Sequence, residues 1–559
     1  MAQPSCVLRN FVIIALLCAI GAAPEHRPAA LQSRIKHVFV IFQENHSFDN
    51  YFGTFPGADN LASPAAQTHG FTQRDPIGNG WVTPFRITDP DIDAPSQARK
   101  LLEAKMDGGK MNAFVAEQER VSLKRFNGNE RYARAVGLLT MAHYDCDTIP
   151  YLWTYAHTFA LFDRIFEENT GPSTPANVSI IAAQVGQTQA ARNPAQQVSS
   201  KEKGYGVPLE NDLNPAYGPS TELYNPRQIP QQYATVMLTL GGTSDSQATE
   251  NTEGVAEDLG SVIASGRAAV PWGWYQEAYV SPTVALPGYE MHHNAPQYFG
   301  YLRNNDVFWN NVHGTQALLD ALKSATLPDH GIFYVKGASI NEFGWKPANR
   351  DPYVQTQYRG DDDHPGPGDA DHQVAEAFVA TFVNAIARSR YWNDSAIVVT
   401  WDDPGGFYDH VPPPAFETCP DGNPCGDGPR VPLIVISPYA RSGAIVHDAG
   451  DTASVVKFAE AIFGLPALAT LPDEKRYMPE GPRDDNPALT NLSGAFDPAR
   501  LDGRTAPIPA SAAEISDAEV NAFPPPMNCR SLGITPDRLP DASSVPPSGF
   551  IPRIPRKEH

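Results

Sequence analysis

The stretch that decides the fold is Ile35–Asp49, which reads IKHVFVIFQENHSFD. Residues 38–42 are an unbroken apolar run of β-branched and aromatic side chains, which is typical of a strand buried on both faces of a parallel sheet. The run ends in a polar cluster that contains Glu44 and Asn45. Because ligands of open α/β sheets bind at the carboxyl ends of the strands, Glu44 and Asn45 are candidate ligands. On this stretch alone, ordinary loop residues after a core strand are an equal alternative.

A second apolar run, 396–400, predicts another buried strand, and it ends directly before Asp402 and Asp403. A third predicted strand covers 431–436. The clearest helical pattern covers 371–387, where apolar residues recur at helical spacing, and a further helix is predicted over 95–120. This alternation predicts an α/β fold with a mostly parallel central sheet flanked by helices.

The charge of the chain narrows the classes of function. Among 559 residues, 63 are acidic and 42 are basic, which gives a net charge of −21. Nucleic-acid binding depends on neutralising phosphates with basic residues, so no nucleic-acid partner is expected. The acidic balance fits a soluble secreted protein, or a metal site that is rich in carboxylates.

The N-terminus predicts a signal peptide over 1–23. Arg9 supplies the positive region, and the apolar run 11–20 is too short to span a bilayer. No other stretch of the sequence predicts a transmembrane anchor. These features predict a secreted or periplasmic protein.

Composition also suggests a division of the chain. A catalytic domain is expected over 34–473. Within it, the range 190–290 begins with a polar stretch rich in Pro, Gln and Asn, and it is interpreted as a loop-rich insertion or cap. The last range, 474–559, is Pro-rich and irregular in pattern.

Four cysteines remain after removal of the signal peptide: Cys146, Cys419, Cys425 and Cys529. Four cysteines allow three disulfide pairings. A disulfide could close the short, turn-rich loop between Cys419 and Cys425, and export favours such bonds. Zinc binding by the four thiols is the alternative, but their spacing matches no common zinc pattern.

The two acidic strand ends suggest a metal site. Neighbouring carboxylates repel each other, and a cation relieves that repulsion. Oxygen ligands favour a hard divalent ion, so one divalent metal ion of unknown identity is predicted. The alternative is that Asp402 and Asp403 only begin the turn before Gly405.

The stretch GPSTP at 171–175 places hydroxyl groups at the start of a predicted helix over 176–183. Ser173 could be a helix cap, and Pro175 at the first helical position supports that interpretation. A helix N-terminus also binds phosphate, and a hydroxyl beside a metal ion can act as a nucleophile. The adjacent His292 and His293, and His364 in a Pro/Gly-rich loop, could protonate a leaving group.

Three motifs carry a family resemblance: ENHSFDNYFGT at 44–54, GPSTP at 171–175, and WDDPGGFYDHVPPP at 401–414. With them the chain resembles the bacterial phosphoesterase family of phospholipase C and acid phosphatase, a branch of the alkaline-phosphatase-like folds. The resemblance implies that one metal ion is bound by five residues, namely Glu44, Asn45, Ser173, Asp402 and Asp403. It also implies that Ser173 is the nucleophile and passes through a phosphoserine. His292, His293 and His364 would line the phosphate pocket, and His143 would join them by a looser match.

The sequence departs from the family pattern in places. Many members have Asn directly after the Pro of the nucleophile loop, whereas Ala176 precedes Asn177 here, so Asn177 receives no role. Phospholipase-like members often carry Asp-Glu at the second acidic site and Thr as the nucleophile. Asp402-Asp403 and Ser173 are more similar to the acid-phosphatase branch.

The expected function is a secreted, metal-dependent phosphoric ester hydrolase that resembles acid phosphatases and acts on phosphomonoesters. Phospholipase C activity, which cleaves the head groups of phospholipids, is the alternative. The expected partner is therefore a phosphate ester or a phospholipid, and transient contact with a lipid surface stays open. A sulfatase-like hydrolase is less well supported, because no Cys lies in the nucleophile loop. A non-catalytic surface-binding protein on the same fold is a distant alternative, since the nucleophile and the ligands are intact.

Overall fold

The computed structural model describes residues 28–193, 212, 214–215, 218–219, 230–242, 252–303, 306–414, 427–478, 482–539 and 545–555. The predicted signal peptide, Cys419 and Cys425 lie outside these ranges, as does most of the polar stretch between 194 and 229. Among the described residues, no helix combines the length and the apolar character needed to cross a bilayer.

An eight-stranded sheet forms the centre of the fold. Its strands, in chain order, are β1 (His37–Gln43), β2 (Ala160–Phe162), β3 (Trp272–Gln276), β4 (Val312–His313), β5 (Gly331–Lys336), β6 (Ser395–Trp401), β7 (Leu433–Ile436) and β8 (Ala444–Val446). Their order across the sheet is β4-β3-β5-β1-β6-β7-β2-β8. All pairs are parallel except those of β7 with β6 and β2. The predicted α/β class with a mostly parallel sheet is confirmed.

Helices surround the sheet. They are α1 (Pro28–Arg34), α2 (Phe48–Phe52), α3 (Arg99–Met106), α4 (Phe114–Arg125), α5 (Glu130–Leu139), α6 (Pro150–Thr158), α7 (Ser173–Ala182), α8 (Gln187–Arg192), α9 (Val236–Gly241), α10 (Ala256–Ala264), α11 (Gly300–Arg303), α12 (Asp306–Asn311), α13 (Thr315–Ser324), α14 (Pro352–Gln357), α15 (His372–Ala387), α16 (Ser454–Phe463), α17 (Pro472–Tyr477), α18 (Pro498–Leu501), α19 (Asp517–Val520) and α20 (Cys529–Leu532).

One predicted helix is interrupted. The range 95–120 contains α3 and the first half of α4 instead of one continuous helix. Asp107 and Gly108 between them take φ values of +45° and +62°, which a right-handed helix does not allow. The prediction of a single helix over 95–120 was therefore wrong, whereas α15 coincides with the helix predicted at 371–387.

The register of the central strands positions the site. β1 and β6 pair in parallel from His37 opposite Ser395 to Gln43 opposite Trp401. The next residues of the two strands, Glu44 and Asp402, therefore emerge together at the carboxyl edge. β5 pairs with the other side of β1, so its last residue, Lys336, reaches the same edge.

The proposed insertion 190–290 and the C-terminal range 474–559 both contribute to the fold. Strand β3 lies inside the range 190–290. It nevertheless belongs to the central sheet, where it pairs in parallel with β4 on one side and β5 on the other. A disulfide joins Cys146 to Cys529 of the C-terminal range. In the same range, Ile515 and Val520 are buried in the main hydrophobic core.

Candidate active site

Three carboxylates converge at the carboxyl edge of the sheet. Glu44 follows β1, and Asp402 and Asp403 follow β6. One oxygen from each lies within 4.8 Å of the others, and the exposure of all three side chains is 1% or less. The sequence prediction that these two strand ends meet is confirmed. Buried carboxylates at such short distances are costly without a cation.

Ser173 is the first residue of α7, and its side chain faces this cluster. Its Oγ donates to Glu44 Oε2 at 2.9 Å or to Asp403 Oδ2 at 2.9 Å. Pro172 occupies the N-cap position, and no side chain caps the helix. The alternative that Ser173 is the helix cap is therefore wrong: the helix starts three residues before the predicted start, and the hydroxyl points to the carboxylates instead of the helix backbone.

Asn45 supplies a further oxygen to the cluster. Its backbone is left-handed, with φ of +58°, and its Oδ1 lies 3.2 Å from Ser173 Oγ. The same atom is 2.9 Å from Glu44 Oε2 and 3.0 Å from Asp402 Oδ1. These oxygens only accept hydrogen bonds, so they repel each other at such distances. The repulsion is relieved if the Asn45 amide is turned so that its nitrogen faces the carboxylates, or if a cation lies between the oxygens. The donor set, which is made only of oxygens, fits a hard divalent ion.

The pKa values of the carboxyl groups also favour a bound cation. Burial, followed by the charge of Glu44, raises the pKa of Asp403 to about 8 and that of Asp402 well above its usual range. Burial also acts to raise the pKa of Glu44, but its close contacts with His293 and with the Lys336 ammonium hold that pKa well below its usual range. A divalent ion together with Lys336 would supply three positive charges, which would balance the three carboxylates in their ionised form.

Lys336 is a site residue that the sequence reasoning missed. Its side chain is fully buried; Nζ contacts Glu44 Oε1 and lies 3.7 Å from Asp402 Oδ2. Burial lowers the pKa of this lysine, but the charges of Asp402 and Glu44 outweigh burial and raise it. The sequence does contain a signal, because Lys336 directly follows the short apolar run 332–335 of β5 and so reaches the carboxyl edge of the sheet.

Asn177 is a second residue without an earlier role. It lies one turn after Ser173 on α7, and its Nδ2 donates to Asp402 Oδ2 at 2.9 Å and to the Ser173 carbonyl at 2.8 Å. It therefore links the start of α7 to the end of β6. The extra Ala176 does not prevent this contact, because an i,i+4 spacing keeps Asn177 on the same face of the helix as Ser173.

Three of the four predicted histidines lie beside the cluster. His293 Nε2 is 3.2 Å from Glu44 Oε1, and the ring of His292 lies 4.2 Å from that of His293. His364 Nε2 is 2.9 Å from the side-chain amide of Asn45, and its Nδ1 is 3.3 Å from Asp369 Oδ2. Burial lowers the pKa of His293 well below its usual range. For His364 burial also lowers the pKa, but the charges of Asp369 and Glu44 outweigh it and raise the pKa well above its usual range.

His143 is placed differently. It belongs to the short strand Ala142–His143, which pairs with Phe85–Arg86, and its Nδ1 lies 3.5 Å from the carbonyl of Tyr144. Burial lowers its pKa to about 4. Among the contacts of the described residues, none joins His143 to the carboxylate cluster.

A second group of acidic and histidine side chains already has its cation. Asp49, Asp409 and His410 lie close enough together to hold a metal ion. Arg430, however, donates from Nε to Asp409 Oδ1 at 2.9 Å and from Nη2 to Asp49 Oδ1 at 3.0 Å. The guanidinium thus lies between the two carboxylates, where a metal ion would otherwise lie, and it ties the loop after β6 to helix α2.

The sequence comparisons agree with this architecture. The model of the phosphoesterase family matches residues 35–466. The non-hemolytic phospholipase C of Burkholderia pseudomallei is 24% identical over 474 residues, which are 79% of this chain and 57% of that protein. Phospholipase C B of Mycobacterium tuberculosis is 24% identical over 485 residues, or 80% of this chain and 76% of that protein. The match thus spans little more than half of the first relative's length.

Solved structures give weaker similarities. A protein in the alkaline phosphatase superfamily from Vibrio parahaemolyticus shares 10% identity at a TM-score of 0.30, covering 62% of this chain and 64% of that one. The lipoteichoic acid synthase LtaP from Listeria monocytogenes shares 9% identity at a TM-score of 0.28, covering 79% and 75%. Such low scores transfer no detail of site or substrate.

Proposed function

Because the chain belongs to the phosphoesterase family, we propose that it is a metal-dependent phosphoric ester hydrolase that works through a phosphoserine intermediate. The observation that carries the proposal is the position of Ser173. Its hydroxyl lies at hydrogen-bond distance from two buried carboxylates, at the start of a helix it does not cap. A serine held in this way is suited to nucleophilic attack on phosphorus.

One divalent ion is proposed to complete the site. Five residues would hold it: Glu44, Asn45, Ser173, Asp402 and Asp403. A bound divalent ion would lower the pKa of the Ser173 hydroxyl and offset the charge on the phosphoryl oxygens. Lys336 and Asn177 fix the orientation of these ligands by their contacts with Glu44 and Asp402.

The reaction proceeds in two displacements at phosphorus. In the first, the Ser173 hydroxyl gives up its proton as Oγ bonds to phosphorus, while the bond from phosphorus to the leaving oxygen breaks and that oxygen takes up a proton. In the second, water attacks the phosphoserine, the Oγ–phosphorus bond breaks, and the serine hydroxyl is restored. The retained configuration that follows from two displacements distinguishes this route from direct attack by water.

The histidines lie where a leaving group needs a proton. His364 is held between Asp369 and Asn45, and the raised pKa favours its protonated form. We assign His364 as the donor to the leaving oxygen and His292 and His293 as groups that line the phosphate pocket. His143 keeps its predicted role only as a hypothesis, since its contacts lie elsewhere.

Phosphomonoesters are the first proposed substrate class, since Ser173 and the Asp402-Asp403 pair are similar to the acid-phosphatase branch. Phospholipase C activity is the second candidate. It is supported by the relatives of this chain, which carry the names of phospholipases C. A secreted or periplasmic location, with removal of residues 1–23, is part of the same proposal.

The test measures hydrolysis of a chromogenic phosphomonoester and of phosphatidylcholine, after metal removal and again after addition of Mg²⁺, Ca²⁺, Mn²⁺ or Zn²⁺. Ser173→Ala is expected to lower turnover by at least about 10³-fold, because the nucleophile is lost. Ser179→Ala is the matched control, because Ser179 lies on the same helix but bonds Ala176 and Thr452. If no added metal supports hydrolysis of either substrate, the proposal is wrong.

A further inference from the structure

Exposed apolar side chains concentrate on one hairpin. In the described part of the chain, six large apolar residues are exposed, and three of them are Val280 (53%), Val284 (47%) and Leu286 (45%). The hairpin pairs Tyr279–Ser281 with Val284–Ala285, and we call residues 279–286 the apolar hairpin. The other three, Trp81, Ile263 and Val545, lie on separate segments. Single exposed apolar residues are common, but a cluster indicates an interaction surface.

The apolar hairpin carries no charge. The stretch 278–288 reads AYVSPTVALPG and contains no acidic or basic residue, in a chain whose net charge is −21. Pro282 and Thr283 at its turn are exposed, and so is Pro287 after it. The surface therefore lacks the lysine and arginine clusters by which proteins bind anionic lipids.

The hairpin is continuous with the candidate active site. It follows β3 at the carboxyl edge of the sheet, and the chain then reaches His292 and His293 within six residues. At its base the amide of Leu286 donates to the Ala278 carbonyl at 2.8 Å. The hairpin and the histidine turn are therefore joined by a short stretch of chain.

The link between the hairpin and the histidine turn is well packed. The ring of Tyr279 lies 6.1 Å from that of Tyr289. The hydroxyl of Tyr289 accepts from Asn294 Nδ2 at 3.2 Å and from Gln297 Nε2 at 3.1 Å. These contacts tie the hairpin to the residues on both sides of His292 and His293.

We propose that the apolar hairpin docks the protein onto a zwitterionic phospholipid surface. This inference rests on the proposed phosphoester hydrolysis and adds to it a surface by which the protein would meet a lipid substrate. Apolar side chains that enter the boundary between head groups and acyl chains supply the attraction. The acidic chain is repelled by an anionic surface, so a zwitterionic one fits better.

The experiment uses the metal-loaded full chain and a variant with three changes: Val280→Ser, Val284→Ser and Leu286→Ser. Binding is measured by sedimentation with phosphatidylcholine vesicles, alone or mixed with phosphatidylglycerol. Turnover is measured on the vesicles and on a soluble phosphomonoester. The triple variant is expected to lose at least about tenfold in vesicle binding and in vesicle hydrolysis, with soluble turnover unchanged. Trp81→Ser and Ile263→Ser are controls that remove exposed apolar side chains outside the hairpin, and they are expected to match the wild type.

Each contrary outcome has a separate meaning. Equal vesicle binding by the triple variant and the wild type overturns the docking role of the hairpin. If the triple variant changes its oligomeric state but binds vesicles as the wild type does, the hairpin makes contacts between copies of the chain, and the inference is wrong. A preference of the wild type for the anionic vesicles would also overturn it. If the wild type hydrolyses the soluble ester but binds no vesicles, docking is wrong while the proposed function stands. Vesicle binding without hydrolysis of any ester contradicts the proposed function instead.

Discussion

The Nζ atom of Lys336 lies 3.7 Å from Oδ2 of Asp402, and neither side chain is exposed by more than 1%. Lys336 also contacts Glu44, so one ammonium group joins the ends of β1 and β6. Removing one partner of a buried ion pair leaves an uncompensated charge, which makes this lysine a sensitive point of the site.

Lys336→Met is expected to destabilise the metal-free protein by about 3–5 kcal/mol, because Glu44 and Asp402 lose their only buried ammonium partner among the described residues. Urea unfolding in the presence of a chelator measures this loss. A divalent ion should then restore part of it. Lys105→Met is the control, since Lys105 is also buried but bonds the carbonyls of Ser96 and Gly406, so its effect should not depend on metal. Equal stability of Lys336→Met and the wild type would contradict this role.

Asp403→Asn is expected to weaken metal binding by at least about 10–100-fold, because an anionic ligand becomes neutral. Metal content after dialysis and titration calorimetry give the affinity. Asp409→Asn is the matched control, because Asp409 is equally buried but faces Arg430. Retained affinity in Asp403→Asn would remove Asp403 from the ligand set, and a loss in Asp409→Asn would show that the second cluster also contributes.

His364→Gln is expected to lower kcat by about 10²–10⁴-fold on esters with alkyl leaving groups, which need a proton. The loss should be much smaller for a nitrophenyl ester, whose leaving oxygen is stable without one. His143→Gln should remain within a few-fold of the wild type, because His143 makes no described contact with the carboxylate cluster. A uniform loss across leaving groups in His364→Gln would argue for a role in binding instead of proton donation.

His410 provides a test by pH. Its Nδ1 lies 2.7 Å from Asp49 Oδ2, and although burial lowers the pKa, Asp49 and Asp59 raise it to about 9. The folded pKa exceeds the unfolded value of about 6.5, so this stabilisation is complete below about pH 6.5 and is lost as the pH rises through about 9. The shift corresponds to about 3 kcal/mol. His410→Gln should therefore destabilise the protein near pH 6 and much less near pH 10, as measured by urea unfolding. A pH-independent effect would show that His410 is not charged in the fold.

The sequence was informative where a local pattern sets the structure. The apolar runs of β1 and β6 predicted both strands and the position of the polar pairs that follow them, because burial on both faces requires such runs. Ser173 was identified from its motif, but the start of its helix was predicted three residues too late. The N-cap residue is Pro172, and no side chain caps the helix, so the sequence carries no capping signal at the true start.

Features that depend on distant contacts were missed. Lys336 is a single charge after a short strand, and its role is visible only once β5 lies beside β1. The antiparallel direction of β7 and the sheet position of β3 follow from pairing between segments far apart in the chain, which periodicity does not encode. The break between α3 and α4 depends on Asp107 and Gly108, which both take left-handed backbone angles. Asp tolerates this conformation but does not require it, so the sequence did not predict the break.

The most direct test of the central claim is trapping of the covalent intermediate. The metal-loaded protein is mixed rapidly with a phosphomonoester, quenched in acid, digested, and examined by mass spectrometry. One phosphoryl group is expected on the wild-type peptide that contains Ser173. It should be absent in Ser173→Ala and unchanged in Ser179→Ala. Turnover at the wild-type rate with no phosphoserine, or with the phosphoryl group on another residue, would contradict this expectation.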